Sequence, residues 1–139
     1  MIEFHYETDF KLQNETKFAD WLGRVVDSEH GGISQLDFIF CTDEYLLEKN
    51  QRFLNHDTYT DIITFDYSEG RNIAGDIFIS VDRLKENSDK YNVRFEKEAL
   101  RVMVHGVLHL LGYSDKSKED RMLMRRKEDD KIKLFHVEQ

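Results

Sequence analysis

Between residues 102 and 114 the chain carries no Asp, Glu, Lys or Arg, and two histidines stand four positions apart inside that run: His105-Gly-Val-Leu-His109-Leu-Leu-Gly112-Tyr-Ser-Asp115. The run is too short to cross a bilayer, which needs about 20 residues. Read as a helix over residues 94–111, it places Val102, Met103, Val104, Val107, Leu108, Leu110 and Leu111 around most of the circumference, the signature of a central, buried helix. The polar exceptions, Arg101, His105 and His109, fall at i, i+4 and i+8 and so form one stripe. Both imidazoles then share a face, about 6 Å apart along the axis. Gly112 stands where such a helix would stop, because only glycine enters the left-handed region cheaply. A chain that turns back there brings Asp115 beside the two histidines. Three N/O ligands with a fourth position left to water is the build of a catalytic zinc site.

A His-x-x-x-His pair alone is equally compatible with ordinary solvent-facing or satisfied histidines. The glycine seven residues after the first histidine, and a ligand-capable residue ten after it, favour the metal. The spacing equals that of the His-Glu-x-x-His-x-x-Gly-x-x-His zinc motif. In metallopeptidases the glutamate is the general base; here that position is Gly106, and no Met-turn is evident. A zinc peptidase or amidase is therefore the weaker reading. A carboxylate in place of a third imidazole lowers the positive charge at the site. It leaves a bound water less acidic than a three-histidine zinc would. It keeps zinc favoured while admitting manganese or nickel.

The rest of the chain supplies the frame. Ile2, Phe4 and Tyr6 alternate with polar residues, the period of a half-buried strand. Residues 14–29 read as a helix with Phe18, Trp21, Leu22, Val25 and Val26 on one face, closed by Gly31-Gly32. Residues 33–41 read as a strand. A helix capped by Thr42 follows and runs out around residues 55–57. Residues 60–67 and 73–80 read as two strands of an antiparallel hairpin. Helices are expected over 81–91, 94–111 and from Ser117 onward, where Ser-x-x-Asp signals a start. The last of these, highly charged, is expected to be exposed over most of its surface. Short strands with a hairpin and a helical end predict a single α+β domain over residues 1–139, with a small mixed four-stranded sheet and a zincin-like metal helix.

Composition narrows the classes. A net charge of −8 argues against non-specific nucleic-acid binding by bulk charge, though not against a local basic patch. The amino terminus has no basic region followed by an apolar run, so no signal peptide is expected. A lone cysteine, Cys41, has no internal disulfide partner. These features predict a cytoplasmic protein with no membrane association. The oligomeric state stays open.

The run His-Gly-x-Leu-His-Leu-Leu-Gly-Tyr-x-Asp resembles the endoribonuclease YbeY family. Thr60-Asp61-Ile62-Ile63-Thr64-Phe65 resembles that family's Thr-Asp-Val-Leu-Ser-Phe segment, and Gly75-Asp76-Ile77-Phe78-Ile79-Ser80 its Gly-Asp-Ile-x-Ile-Ser strand. Length and element order agree. The resemblance implies a zinc-dependent endoribonuclease, specific for single strands and carrying one zinc ion (Zn2+). It would act on ribosomal RNA of the small ribosomal subunit, in three-prime-end maturation and in ribosome quality control. His105 and His109 would be metal ligands, with Asp115 where the family usually has a third histidine. The family also commonly carries an arginine just before the Thr-Asp segment; Leu54 stands at that spacing here. Arg52, Arg71 and Arg101 are the candidates to meet RNA phosphate in its stead, Arg52 and Arg101 foremost. The metal would activate a water or act as a Lewis acid while the RNA 2′-hydroxyl attacks. A non-catalytic ribosome-associated protein with a structural metal is the remaining alternative. His5, His30, His56 and His136 are read as ordinary exposed polar residues.

Overall fold

The computed structural model describes residues 1–54 and 60–136, with Leu54 described in its backbone alone. The expected helix end around 55–57, His56 and the Leu54 side chain therefore lie outside what is described. The elements run β1 (Ile2–Tyr6), α1 (Glu15–Ser28), β2 (Gly32–Cys41), α2 (Asp43–Leu54), β3 (Ile62–Asp66), β4 (Asn72–Ser80), α3 (Val81–Lys90), α4 (Phe95–Leu110) and α5 (Lys118–Phe135). Four strands form one mixed sheet in the order β1-β2-β4-β3. β1 and β2 are parallel, as are β2 and β4, while β3 pairs antiparallel with β4 as the expected hairpin. The α+β architecture read from the sequence is the observed one.

The sheet buries one face heavily. Leu36, Phe38 and Phe40 of β2 and Ile73, Ile77 and Ile79 of β4 join the apolar faces of α1, α4 and α5 in one core. A smaller cluster of Cys41, Leu46 and Ile63 lies under α2. α4 is buried on nearly all sides, as its apolar circumference demands. It approaches the sheet closely because two glycines remove side chains from the contact. A Cβ on Gly106 would stand 3.0 Å and 3.1 Å from the side chains of Ile77 and Ile62. One on Gly75 would meet the Phe65 carbonyl oxygen at 2.6 Å.

Caps agree in part with expectation. The Thr42 hydroxyl accepts from the Tyr45 amide at 3.2 Å, and the Ser117 hydroxyl from the Asp120 amide at 3.0 Å. Helix α1 closes differently: His30, not a glycine, takes the left-handed conformation at φ 61°. Gly31 serves packing instead, since a Cβ there would meet the Arg71 carbonyl oxygen at 2.9 Å. The charged helix α5 is exposed on one side and carries a buried stripe of Met124, Glu128, Lys131, Ile132 and Phe135. Trp21 Nε1 donates to the Lys131 carbonyl at 2.7 Å, which ties α5 to α1.

Candidate metal centre

Residues His105 and His109 leave α4 on the one stripe not occupied by apolar side chains, and Gly112 at φ 104° turns the chain back after it. The return brings Asp115 onto both rings. The two Nε2 atoms lie 3.0 Å apart. Asp115 Oδ2 is 3.4 Å from His105 Nε2 and 3.3 Å from His109 Nε2. A tetrahedral zinc with bonds of about 2.0–2.2 Å separates its ligand atoms by about 3.3 Å. The three side chains thus fit an ion of that size with a face left open. They are each partly exposed. Among the described residues Glu3 and His5 of β1 and Asp37 of β2 also bring such atoms together, with Glu3 and His5 exposed. His5 there pairs with Asp37 at 2.8 Å.

Each histidine is oriented through its other nitrogen, which leaves Nε2 as the ligand atom. His105 Nδ1 meets Glu128 Oε2 at 2.7 Å, and His109 Nδ1 meets the Tyr113 carbonyl at 2.9 Å. Glu128 also binds Arg101, whose guanidinium spans Glu128 at 2.9 Å and Asp129 at 2.8 Å. Burial opposes a charge on His105. The hydrogen bond that His105 donates to Glu128 and the charges of Glu128, Asp115 and Asp61 together outweigh it and hold the imidazole pKa above its ordinary value. Tyr113 is pinned in turn by its hydroxyl, which donates to Glu29. Lys127 and Lys131 close on the same carboxylate at 3.0 Å and 2.7 Å. Burial pushes the Glu29 carboxyl up, and the hydrogen bonds from Lys131, Tyr113 and Lys127 overcome that and hold it at about 2.

Two clefts open beside the triad. One, of about 400 Å³, is lined by His105 and Asp115 together with side chains from α3, α4 and α5. The other, of about 570 Å³, runs past His109 toward β3 and α2. Asp61, Ile62, His105 and Asp115 border both. Burial raises the Asp61 carboxyl above the usual range, against the pull of the His105 charge. The structure places the arginines named from the sequence apart from one another. Arg101 lines the first cleft, but its charge is committed to Glu128 and Asp129. Arg52 is exposed on the last turn of α2, stands over the Phe53 ring at 5.8 Å, and is not among the residues lining either cleft. Arg71 donates to the Glu29 carbonyl at 3.0 Å.

Sequence reasoning missed Glu128 and Glu29. Their one available signal was a carboxylate on the apolar side of an amphipathic helix, and the acidic run around Glu128 hid it. The structure also explains Gly106. It is buried against β3 and β4, so at the position that carries a peptidase's base even a Cβ would crowd Ile77 and Ile62.

These features define an α+β protein that presents a His-His-Asp cluster able to hold a metal ion, from one buried helix and the turn after it. The family model described as Endoribonuclease YbeY matches residues 2–136. The chain is 55% identical to the Endoribonuclease YbeY of Flavobacterium psychrophilum, over all of this chain and 99% of that one. It is 42% identical to that of Bacteroides fragilis, over 91% and 88% of the two chains. The solution structure of TM1509 from Thermotoga maritima superposes with a TM-score of 0.70 at 27% identity, covering 97% of this chain and 89% of that one. The chain belongs to the endoribonuclease YbeY family. Among the described residues no helix is long and apolar enough to cross a membrane.

Proposed function

We propose that this protein is a zinc-dependent endoribonuclease that cuts single-stranded ribosomal RNA, acting in the cytoplasm in three-prime-end maturation of the small-subunit RNA and in ribosome quality control. The observation that supports this most is the convergence of His105 Nε2, His109 Nε2 and Asp115 Oδ2 to within 3.0–3.4 Å of one another at the junction of two open clefts. His105, His109 and Asp115 hold the ion. When bound it supplies Lewis acidity toward a phosphodiester oxygen or toward water.

The chain's own residues do the rest. Glu128 and the Tyr113 carbonyl fix the two imidazoles. Arg101 acts by fixing Glu128 rather than by meeting phosphate, because both terminal nitrogens of its guanidinium are already paired with carboxylates. Asp61, facing both clefts with a carboxyl raised by burial, is placed to take a proton from the attacking oxygen. Its loss in Asp61→Asn is expected to slow cleavage about 100-fold with bound metal unchanged. An unchanged rate would remove Asp61 from the reaction.

The test of the whole reading is to measure bound metal and to incubate the protein with ribosomal RNA beside a His105→Ala/His109→Ala variant. Zinc and cleavage in the native protein and neither in the variant are expected. Cleavage by both proteins points to a contaminant and defeats the nuclease reading. Equal metal in both defeats the ligand assignment. A cyclic phosphate on the product would assign the attack to the 2′-hydroxyl, and its absence to water.

A further inference from the structure

A chain with net charge −8 repels RNA unless cations are gathered at the site; of the arginines singled out by sequence, Arg101 is paired with two carboxylates, and Arg52 and Arg71 line neither cleft. The first cleft contains two others. Arg121 and Arg125 of α5 line it together with His105 and Asp115. They stand at i and i+4, so both side chains leave the helix on one face, about 6 Å apart. Arg121 Nη1 donates to a neutral carbonyl, that of Lys116, at 3.2 Å. Neither arginine has a carboxylate within salt-bridge distance among the described residues, whereas Arg101 in the same wall has two. Of the four described acids that share the cleft, Glu128 is engaged by Arg101 and His105, Asp115 by the histidines, and Glu98 by a hydrogen bond from Asn87, with the Arg125 charge drawing its carboxyl down against burial; Asp61 is buried. Across the mouth stands Tyr91, just past the end of α3, 60% exposed, with a lysine ammonium, Lys90, 5.5 Å from its ring. The cleft on the far side of the triad has no Lys or Arg among its described lining residues.

We propose that Arg121 and Arg125 bind the RNA phosphates on one side of the scissile bond and that Tyr91 stacks an unpaired base beside them. The proposal rests on the ribonuclease reading above and adds to it a polarity: the strand is gripped on the α5 side of the metal and passes loosely on the other. Two guanidiniums one turn apart serve neighbouring phosphates, since each phosphate needs its own fork of donors. An exposed ring at the lip accepts any base with a free face, which a duplex does not offer. In this chain the cations that Leu54 does not provide come from α5.

The experiment is equilibrium binding of a short, unstructured, fluorescently labelled oligoribonucleotide to the metal-loaded protein over a range of salt concentrations. Cleavage of the same oligonucleotide and bound metal are measured in parallel. The variants are Arg121→Ala/Arg125→Ala, Tyr91→Ala, Tyr91→Phe and, as a control on the exposed side of α5, Arg126→Ala. The double variant is expected to bind at least about tenfold more weakly, with native metal content. Its dependence of log K on log salt should be shallower by about 1.4, the value for two lost phosphate contacts on a single strand. Tyr91→Ala should weaken binding about tenfold; Tyr91→Phe and Arg126→Ala should match the native protein. A duplex of the same length should show no effect of Tyr91→Ala. A native salt slope in the double variant, in a protein that still cleaves, overturns the arginine track and leaves the ribonuclease reading standing. Native binding by Tyr91→Ala overturns the stacking. A native protein that neither binds nor cuts single strands overturns the ribonuclease reading and the track with it. One that binds through these residues without cutting overturns the nuclease alone.

Discussion

The two histidines of the site sit one turn apart on the same helix and are held in opposite ways. His105 depends on Glu128, which reaches it from 23 positions further along the chain. His109 depends on the carbonyl of Tyr113, four residues away in the turn that ends its own helix. One support is a buried charge, itself clamped by Arg101; the other is a neutral backbone group set by local conformation. The local arm is not free-standing, because Glu29 of α1 grips the Tyr113 hydroxyl from 84 positions away. In this helix one candidate ligand is fixed by tertiary packing and the other by the helix's own C-terminal turn.

The largest expected effect comes from removing the tertiary support. Glu128 is 5% exposed and serves both Arg101 and His105. Glu128→Ala leaves a guanidinium that is only 14% exposed with Asp129 alone. Breaking a buried pair in this way costs about 3–5 kcal/mol, readable in urea unfolding. Glu128→Gln keeps one acceptor oxygen where the carboxylate offers two; with that oxygen toward Arg101 the amide nitrogen faces His105 Nδ1, which separates folding from ligation. It should retain most of the stability and bind metal about 10–100-fold more weakly. Native metal affinity in Glu128→Gln would show that His105 needs no such support.

Next in size is the acid limb of stability. The Glu29 carboxyl titrates at about 2 in the folded chain, against an ordinary value of 4.5. A depressed carboxylate stabilises above its unfolded value and loses that contribution as pH falls toward the folded one. The network should therefore contribute about 3 kcal/mol above pH 5, declining between about pH 4.5 and pH 2. Glu29→Gln should be less stable at neutral pH and nearly flat across that window. An equal slope in both proteins would place the acid sensitivity elsewhere.

How much of this was legible in the sequence follows from the same division. The helix, its histidine stripe and the turn at Gly112 depend on neighbours within a few residues, and the sequence shows them directly. The hairpin and the Ser117 cap were legible for the same reason. Glu128 and Lys131 look like members of a solvated run in α5, and only the packing of α5 on α1 and α4 reveals them as buried. The surroundings of the arginines were hidden likewise. Arg101 was visible in the histidine stripe, but whether its charge is spent depends on a helix 27 positions away. Gly106 was read as a missing base; its physical reason, the approach of α4 to Ile62 and Ile77, needs the sheet.

Breaking the local arm should cost less. A Cβ on Gly112 meets nothing within 4 Å, so Gly112→Ala tests conformation alone. Holding alanine at φ 104° costs about 1–2 kcal/mol. The strain should show as a lower melting temperature together with weaker metal binding, since relaxation of the turn moves the Tyr113 carbonyl and Asp115 together. A stability loss with native metal affinity would mean that the ligand set is held independently of the turn.

The smallest effect belongs to Tyr113→Phe. The substitution removes the hydroxyl from Glu29 but leaves the carbonyl that orients His109. Lys127 and Lys131 still satisfy Glu29, so no buried charge is stranded. Because Glu29 keeps both ion pairs, the cost should be that of an ordinary hydrogen bond, about 1 kcal/mol at neutral pH, with metal affinity within about threefold of native. The outcome sharpens the contrast with Glu128→Gln, which should keep its stability and lose metal. If Tyr113→Phe instead loses metal as severely as Glu128→Gln, the turn has no conformational authority of its own. His109, like His105, is then held from across the fold.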